Sequence, residues 1–341
     1  DTASKSFRFI LGEAMRLTMV ANPPNDTYLT LLRQLGVKEA VHYDMAGLPT
    51  DREALDEIAA RYARFGLRWT VAESGPSIDR IVMGKFGWQE QTESYKRTLG
   101  ALGALGVEVV AYNFMPQVST DAMVVRTTMD TPIRGGALTS GFRLSDVTES
   151  TLPHSEQPIE RERMWANLER FLSDVIPAAE AAGVRLALHP DDPPLPELCG
   201  LQRIIGSIAD FDRVLGFSSS PANAMTMCFG CFAEAGHDLS ALIRRWSGRI
   251  GFVHVRDIHG SWDDFVETFP DDGDSDLLAA FETLAETGYT GLVRSDHTPL
   301  LACDWTENDG YTMSGHIFAL GYMRGLSEAA ERRRAYVLVK K

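Results

Sequence analysis

The chain has 341 residues, of which 44% are hydrophobic and 23% charged, with a formal net charge of −14 at pH 7. That balance suits a globular protein with a large core, and it excludes general attraction to nucleic acid or to an anionic membrane surface. No apolar run approaches the roughly 20 residues that span a bilayer, and the opening DTASKSFRF has no long apolar core after its basic residue. Four cysteines, Cys199, Cys228, Cys231 and Cys303, are too few for a disulfide framework in a chain this long. The expected setting is therefore reducing and cytoplasmic.

MRLTMVA at 15–21 predicts a first strand. A pattern then recurs: an amphipathic stretch ends at a glycine, a short β-rich run follows, and the run ends in a polar residue. LLRQLGVKEAVHYD places Gly36 before a strand that ends at Asp44. ARYARFGLRWTVAES does the same with Gly66 and Glu73, and GALGALGVEVVAYNF with Gly106 and Asn113. After strand 4 comes the one long irregular region, about 115–155, with the turn composition of MDTPIRGGALTSG. IERERMWANLERFLSDVIPAAEAAG then has helical spacing and leads through Gly183 to a strand ending at His189. NAMTMCFG at 223–230 is the sixth strand. IRRWSGRIGFVHVRD brings Gly248 and His254, and LAETGYTGLVRSDH brings Gly288, Asp296 and His297. A glycine at each helix end suits a left-handed cap, and near-continuous Val/Ile/Leu/Ala runs suit parallel strands buried on both faces. Eight strands alternating with helices predict a single (β/α)8 TIM barrel over 1–341, with a C-terminal helical tail over about 313–341. An open doubly wound sheet is the alternative, but no G-x-G-x-x-G follows the first strand.

In such a barrel the strand ends meet at one face, where catalytic groups gather. The last four strands each deliver a ligand type: His189, Cys228, His254 and Asp296. Two imidazoles, a thiolate and a carboxylate suffice for one divalent ion with positions left for water and substrate. Taken singly, each has a plainer reading: a core histidine, a small buried thiol, a helix cap. CFGC at 228–231 has the spacing of a redox pair or half a zinc ribbon, but no second C-x-x-C completes a four-sulfur site. Cys231 and Cys303 are read as buried or incidental thiols.

Several motifs together resemble the D-mannonate dehydratase family: HPDDPP (189–194), GFVHVRD (251–257), DGDSDL (272–277), RSDH (294–297) and NDGYTMSGHIFALGYMRGL (308–326), with YNFMP (112–116) and the ES-x-P of Glu73 to Pro76. The resemblance covers most of the chain and is densest over about 160–326. It implies a xylose-isomerase-like barrel that dehydrates D-mannonate to 2-keto-3-deoxy-D-gluconate with bound Mn²⁺ or Fe²⁺. It implies that His189, Cys228, His254 and Asp296 hold the metal, and that His297 and Tyr311 handle protons, with the division between base and acid open. Asp191 and Asp192 then orient ligands or bind sugar hydroxyls; the alternative is that they cap the next helix. Arg256 shares the side-chain parity of His254 and is a candidate for the substrate carboxylate, or else an internal salt bridge. Glu73 and Asn113, at the tips of strands 3 and 4, complete the substrate candidates, with Arg126 standing in for a family arginine.

The family's Arg-Trp-Tyr run on strand 1 is replaced by MRLTMVANPPND, the segment after YNFMP departs from the Asp-Trp-Thr-Arg pattern, the insertion after strand 4 is shortened, and RSDHTPLL lacks the second histidine of RPDHGHQM. These changes fall on the substrate side, so the metal chemistry is expected to be kept while the sugar acid drifts. The competing readings are dehydration of another aldonic acid, a xylose-isomerase-like isomerase or epimerase, and a catalytically silent metal- or ligand-binding barrel. The expected partner is a small-molecule sugar acid, with a homodimer or homotetramer as the assembly. The basic ERRRAYVLVKK is read as a solvated helix end rather than a docking segment.

Overall fold

The computed structural model describes residues 14–43, 47–116, 124–148, 157–304 and 312–340. Asp44 and Tyr311 lie outside the described residues. The eight expected strands are present: Arg16–Thr18, Glu39–Tyr43, Arg68–Glu73, Val109–Tyr112, Arg185–Leu188, Asn223–Cys228, Ile250–Val255 and Leu292–Ser295. They pair in parallel in the spatial order first, eighth, seventh, sixth, fifth, fourth, third, second. A parallel bridge between Val20 and Val41 joins the two ends of that order and closes the ring. The short first strand is also held by its side chains. Arg16 reaches Glu39 at 3.0 Å and Glu108 at 2.7 Å, and the Thr18 hydroxyl donates to the Glu39 carbonyl at 2.7 Å.

A helix follows every strand, from Asp26–Gln34 after the first to Met313–Lys340 after the eighth. All six predicted capping glycines have positive φ. Gly183, at φ 69°, ends the helix Arg161–Ala182 and turns the chain into the fifth strand, a conformation that costs a residue with Cβ energy and glycine very little. That helix buries Met164, Leu168, Phe171, Leu172 and Val175 on one stripe. Phe171 meets Tyr95 of the preceding helix edge-on at 5.2 Å and Tyr112 of the fourth strand at 6.0 Å. Inside the ring, Val20, Val41, Val71, Val109, Ala111, Ala187, Phe252 and Leu292 form a separate apolar plug. Side chains alternate along a strand, so Phe252, His254 and Arg256 all point inward from the seventh strand and its end. The Phe252 ring stands edge-on beneath His254 at 4.7 Å, which makes a dry floor for whatever His254 binds.

The region expected to be irregular holds two strands, Thr128–Pro132 and Leu138–Arg143. They form a four-stranded antiparallel sheet with Asp257–Ser261 and Asp264–Thr268, which leave the barrel after the seventh strand. The two pair with each other, Thr128 opposite Gly141, and the second also pairs with a strand more than a hundred residues away, Arg143 opposite Asp264. Composition along 115–155 carries no trace of such pairing, because strand propensity is largely a matter of the surface a strand packs on. Leu138 and Leu300 exchange backbone hydrogen bonds of 3.1 and 2.7 Å and tie this lid to the loop after the eighth strand. The C-terminal helix runs over Met313–Lys340, and its Arg333 pairs with Glu282 of the same chain at 2.7 Å. Among the described residues no helix is long and apolar enough to cross a membrane.

His316 pins the start of that helix under the eighth strand, its Nδ1 2.7 Å from the Ser295 hydroxyl. Burial, aided by Arg294, pulls its pKa down to about 3. Below about pH 6.5 the unfolded chain protonates this imidazole while the folded chain resists until about pH 3, so acidification through that window removes stability. His316→Asn should therefore show a flatter fall of the urea midpoint between pH 7 and pH 4 than the parent. Parallel slopes would count against a neutral buried His316.

Candidate metal centre and active site

Four side chains converge at the C-terminal mouth of the barrel. His189 follows the fifth strand, Cys228 ends the sixth, His254 lies in the seventh and Asp296 follows the eighth; one ligand atom from each lies within 4.8 Å of the others. Cys228 Sγ is 3.6 Å from Asp296 Oδ2, His254 Nδ1 is 3.6 Å from Asp296 Oδ1, and the two imidazoles are 5.1 Å apart. Cys228, His254 and Asp296 are buried, whereas His189 is only partly so and marks the open side.

These residues fit a divalent ion. His189 Nδ1 lies 2.7 Å from the Pro190 carbonyl, and donation there leaves Nε2 as the ligand atom. Both ring nitrogens of His254 are buried with no hydrogen-bond partner, a costly state that ligation relieves. Burial, helped by Arg294, holds His254 below its usual pKa, in the neutral form a metal needs. Burial alone would raise the Cys228 thiol, but Cys231, Arg256 and His189 outweigh it and hold it well below the usual range. Burial pulls His189 down, yet Cys228 and Asp296 push it up to about 9. Neutral imidazoles with one thiolate and one carboxylate balance a charge of +2.

Beneath the donors lies a buried layer of charged and acidic side chains. Arg256 is buried and reaches Asp296 Oδ2 through Nε at 3.0 Å, Glu234 through Nη1 at 2.6 Å, and Asp192 through Nη2 at 2.7 Å. It also touches Glu267 at 3.3 Å and Cys231 Sγ at 3.2 Å. Asp192, Cys231 and Glu234 have metal-ligand spacing of their own, but the Arg256 guanidinium already supplies their cation. Arg294 grips the other Asp296 oxygen at 2.9 Å and forms a two-pronged pair with Glu73. Burial alone would raise the Asp296 carboxyl, but His297 and these arginines hold it well below the usual carboxylate range.

His297, next in sequence to Asp296, points its Nδ1 at Glu267 of the lid sheet, 2.7 Å away. Burial would lower its pKa, but Glu267 and Asp296 raise it. A carboxylate that takes Nδ1–H fixes the tautomer and assigns proton exchange to Nε2.

The D-mannonate dehydratase family model matches residues 15–154 and 150–336. The chain belongs to the D-mannonate dehydratase family. A mannonate dehydratase of Streptococcus pneumoniae (strain 70585) is 31% identical over 328 residues, covering 87% of each chain. That of Bacillus subtilis (strain 168) is 29% identical, over 90% of this chain and 94% of its own. The crystal structure of mannonate dehydratase from Streptococcus suis serotype 2 superposes with a TM-score of 0.85 at 30% identity, covering 95% and 96% of the two chains. An L-ribulose 3-epimerase, at 17% identity and a TM-score of 0.59, shares the barrel. Membership makes the chain a hydro-lyase of a metal-dependent family, acting on mannonate.

Against the family pattern, the structure brings together His189, Cys228, His254, Asp296 and His297 as the strand ends implied. It relocates several other candidates. Arg256 and Arg126 are occupied by the protein's own carboxylates. Arg126 is bidentate to Asp192 at 2.6 and 3.0 Å and also binds Glu267 at 2.6 Å, so both guanidiniums are internal ion pairs. Asp192 is the hinge between them. Asp191 accepts the Ile205 amide at 2.7 Å and staples its loop; neither aspartate caps the next helix, whose cap is Ser207. Glu73 lies inside the barrel against Arg294, 3.7 Å from His254 Nε2. Asn113 stays at the rim with its Oδ1 buried and unpartnered. Tyr311 is outside the described residues. Glu267, Glu234, Arg294 and Cys231 are the residues that strand-tip reasoning misses. Arg294 carried a signal, two places before Asp296 in the eighth strand, but the others sit on a lid or a short helix.

Removing the central cation strands its carboxylates, and breaking a buried pair from one side costs about 3–5 kcal/mol. Arg256→Met should therefore lower unfolding stability by about that much, read from the urea midpoint. A variant of parental stability with only a raised KM would restore the substrate-carboxylate role.

Proposed function

We propose that the chain converts D-mannonate to 2-keto-3-deoxy-D-gluconate with one Mn²⁺ or Fe²⁺ held by His189, Cys228, His254 and Asp296, while His297 and Tyr311 divide the proton traffic. The observation that carries this is the four-ligand cluster with a carboxylate-backed imidazole beside one of its ligands. When bound, the ion supplies stabilisation for the negative charge that develops as the C2 proton leaves. The mixed sulfur, nitrogen and oxygen donors suit a borderline cation such as Fe²⁺, and the carboxylate and open positions accommodate Mn²⁺.

The chain's own residues do the rest. The C2–H bond breaks toward a base, the C3 hydroxyl departs as water after taking a proton, and the resulting enol becomes the ketone. His297 exchanges its proton at Nε2 because Nδ1 is engaged by Glu267. Arg256 and Arg294 hold Asp296 ionised and fixed in orientation. The Asn113 Oδ1 at the rim suits a sugar hydroxyl donor. The Phe252 floor keeps water from below. All described cysteines are free, which supports a reducing, cytoplasmic setting.

Metal-stripped protein reloaded separately with Mn²⁺, Fe²⁺, Co²⁺, Zn²⁺ or Mg²⁺ should form 2-keto-3-deoxygluconate from D-mannonate, fastest with Mn²⁺ or Fe²⁺. Stoichiometric metal with no product from any ion would sink the substrate assignment. Glu267→Gln should lower kcat about 100-fold with KM little moved, since it removes the partner that orients His297. An unchanged kcat would take Glu267 out of the proton machinery.

A further inference from the structure

The C-x-x-C of residues 228–231 has one cysteine in the donor cluster and the other outside it. Cys228 is the N-cap of the short helix Phe229–Glu234, with extended φ −83° and ψ 107°. Cys231 is three residues on, at the third helical position. Side chains at these two positions face each other across the first turn, the relation that a capping box exploits. Here both are thiols, buried and free. The turn between them is fixed from outside. A Cβ on Gly230 would lie 2.5 Å from Arg256 Cγ, Cζ and Nη1, so the arginine lies directly on the glycine. Its Nη2 is 3.2 Å from Cys231 Sγ, and its other contacts hold it there.

We propose that Cys228 and Cys231 are a site of reversible oxidation by peroxide, closing to a disulfide that takes a ligand out of the metal centre. The inference rests on the reading of Cys228 as a metal ligand. In the first step Cys228 sulfur attacks one peroxide oxygen, the O–O bond breaks, and the departing hydroxide takes a proton to become water. In the second, Cys231 sulfur attacks the sulfenic acid, the S–O bond breaks, and a second water leaves. Two thiols lose two electrons and two protons while one peroxide becomes two waters. The disulfide sulfur is no longer a thiolate donor, so His189, His254 and Asp296 remain alone. Reduction by a thiol restores the fourth ligand. The pairing also protects Cys228, because a sulfenic acid with no neighbouring thiol proceeds to the irreversible sulfinic acid.

The test uses the full chain loaded with Mn²⁺ and titrated with hydrogen peroxide. Free thiols are blocked with N-ethylmaleimide, the peptide spanning 228–231 is weighed, and released Mn²⁺ is measured with a chelating dye. The expected result is a peptide lighter by two hydrogens, about one ion released per disulfide, and about nine-tenths of the metal-binding capacity recovered after dithiothreitol. Cys231→Ser, compared with its own untreated sample, should recover at least about threefold less and accumulate sulfinic acid at Cys228. Sulfinic acid at Cys228 in the parent with Cys231 still blocked by maleimide would overturn the proposal, as would full recovery of Cys231→Ser. A disulfide that forms while Mn²⁺ stays bound would instead overturn the ligand reading of Cys228.

Discussion

A buried guanidinium sets the terms for everything above it. Arg256 has no water to solvate it, and taking such a cation out of water costs several kcal/mol unless every donor is matched. Its partners come from four separate places: Asp192 beyond the fifth strand, Glu234 on the helix after the sixth, Glu267 in the lid and Asp296 after the eighth. Arg126 shares three of them: Asp192, Glu267 and, at 4.0 Å, Glu234. The charges balance because the acids differ. Burial raises Asp192 and Glu267, but the two arginines pull both below the usual carboxylate range, whereas burial wins at Glu234 and pushes it up to about 8, so it keeps its proton near neutral pH. Such a network adds little net stability; its effect is to allow only one arrangement of the segments that supply the ligands and the lid.

That arrangement makes His297, the histidine proposed to handle protons, belong to two structures at once. His297 is adjacent to Asp296 on the barrel and hydrogen-bonded to Glu267 on the lid. The Arg256 guanidinium touches both carboxylates. The spacing between the ligand cluster and the imidazole is therefore set by one rigid side chain rather than by loops. Preorganisation of this kind is what allows charge to be stabilised without reorganisation as it develops.

The barrel and the donor cluster were legible in the sequence because their signals are local. A glycine that ends a helix, an apolar run and a polar tip all lie within about fifteen residues of one another, and barrel topology then brings the tips together. Gly183 leading to His189 is an instance. Glu267 was not legible. It lies in DFVET, a plain alternating strand, and acquires meaning only when that strand pairs with 138–143. The arginines were legible as site residues but not as to their role, since parity places Arg256 inward whether it meets a substrate or four carboxylates. Asp191 and Asp192 show the same limit: adjacent in HPDDPP, one staples a loop and the other bridges two guanidiniums.

The lid sheet also bears on the order of events during synthesis. Its two halves are separated by the fifth and sixth barrel units and the seventh strand, and its tie to Leu300 comes later still. The first residue of the donor cluster, His189, leaves the ribosome more than a hundred residues before the last, Asp296. A nascent chain therefore holds its early half of the lid without a partner until residues 257–268 have emerged, and it has no complete donor set until the eighth strand closes the ring. With the proposed ligand set, metal capture is a late step, taken by a nearly finished barrel.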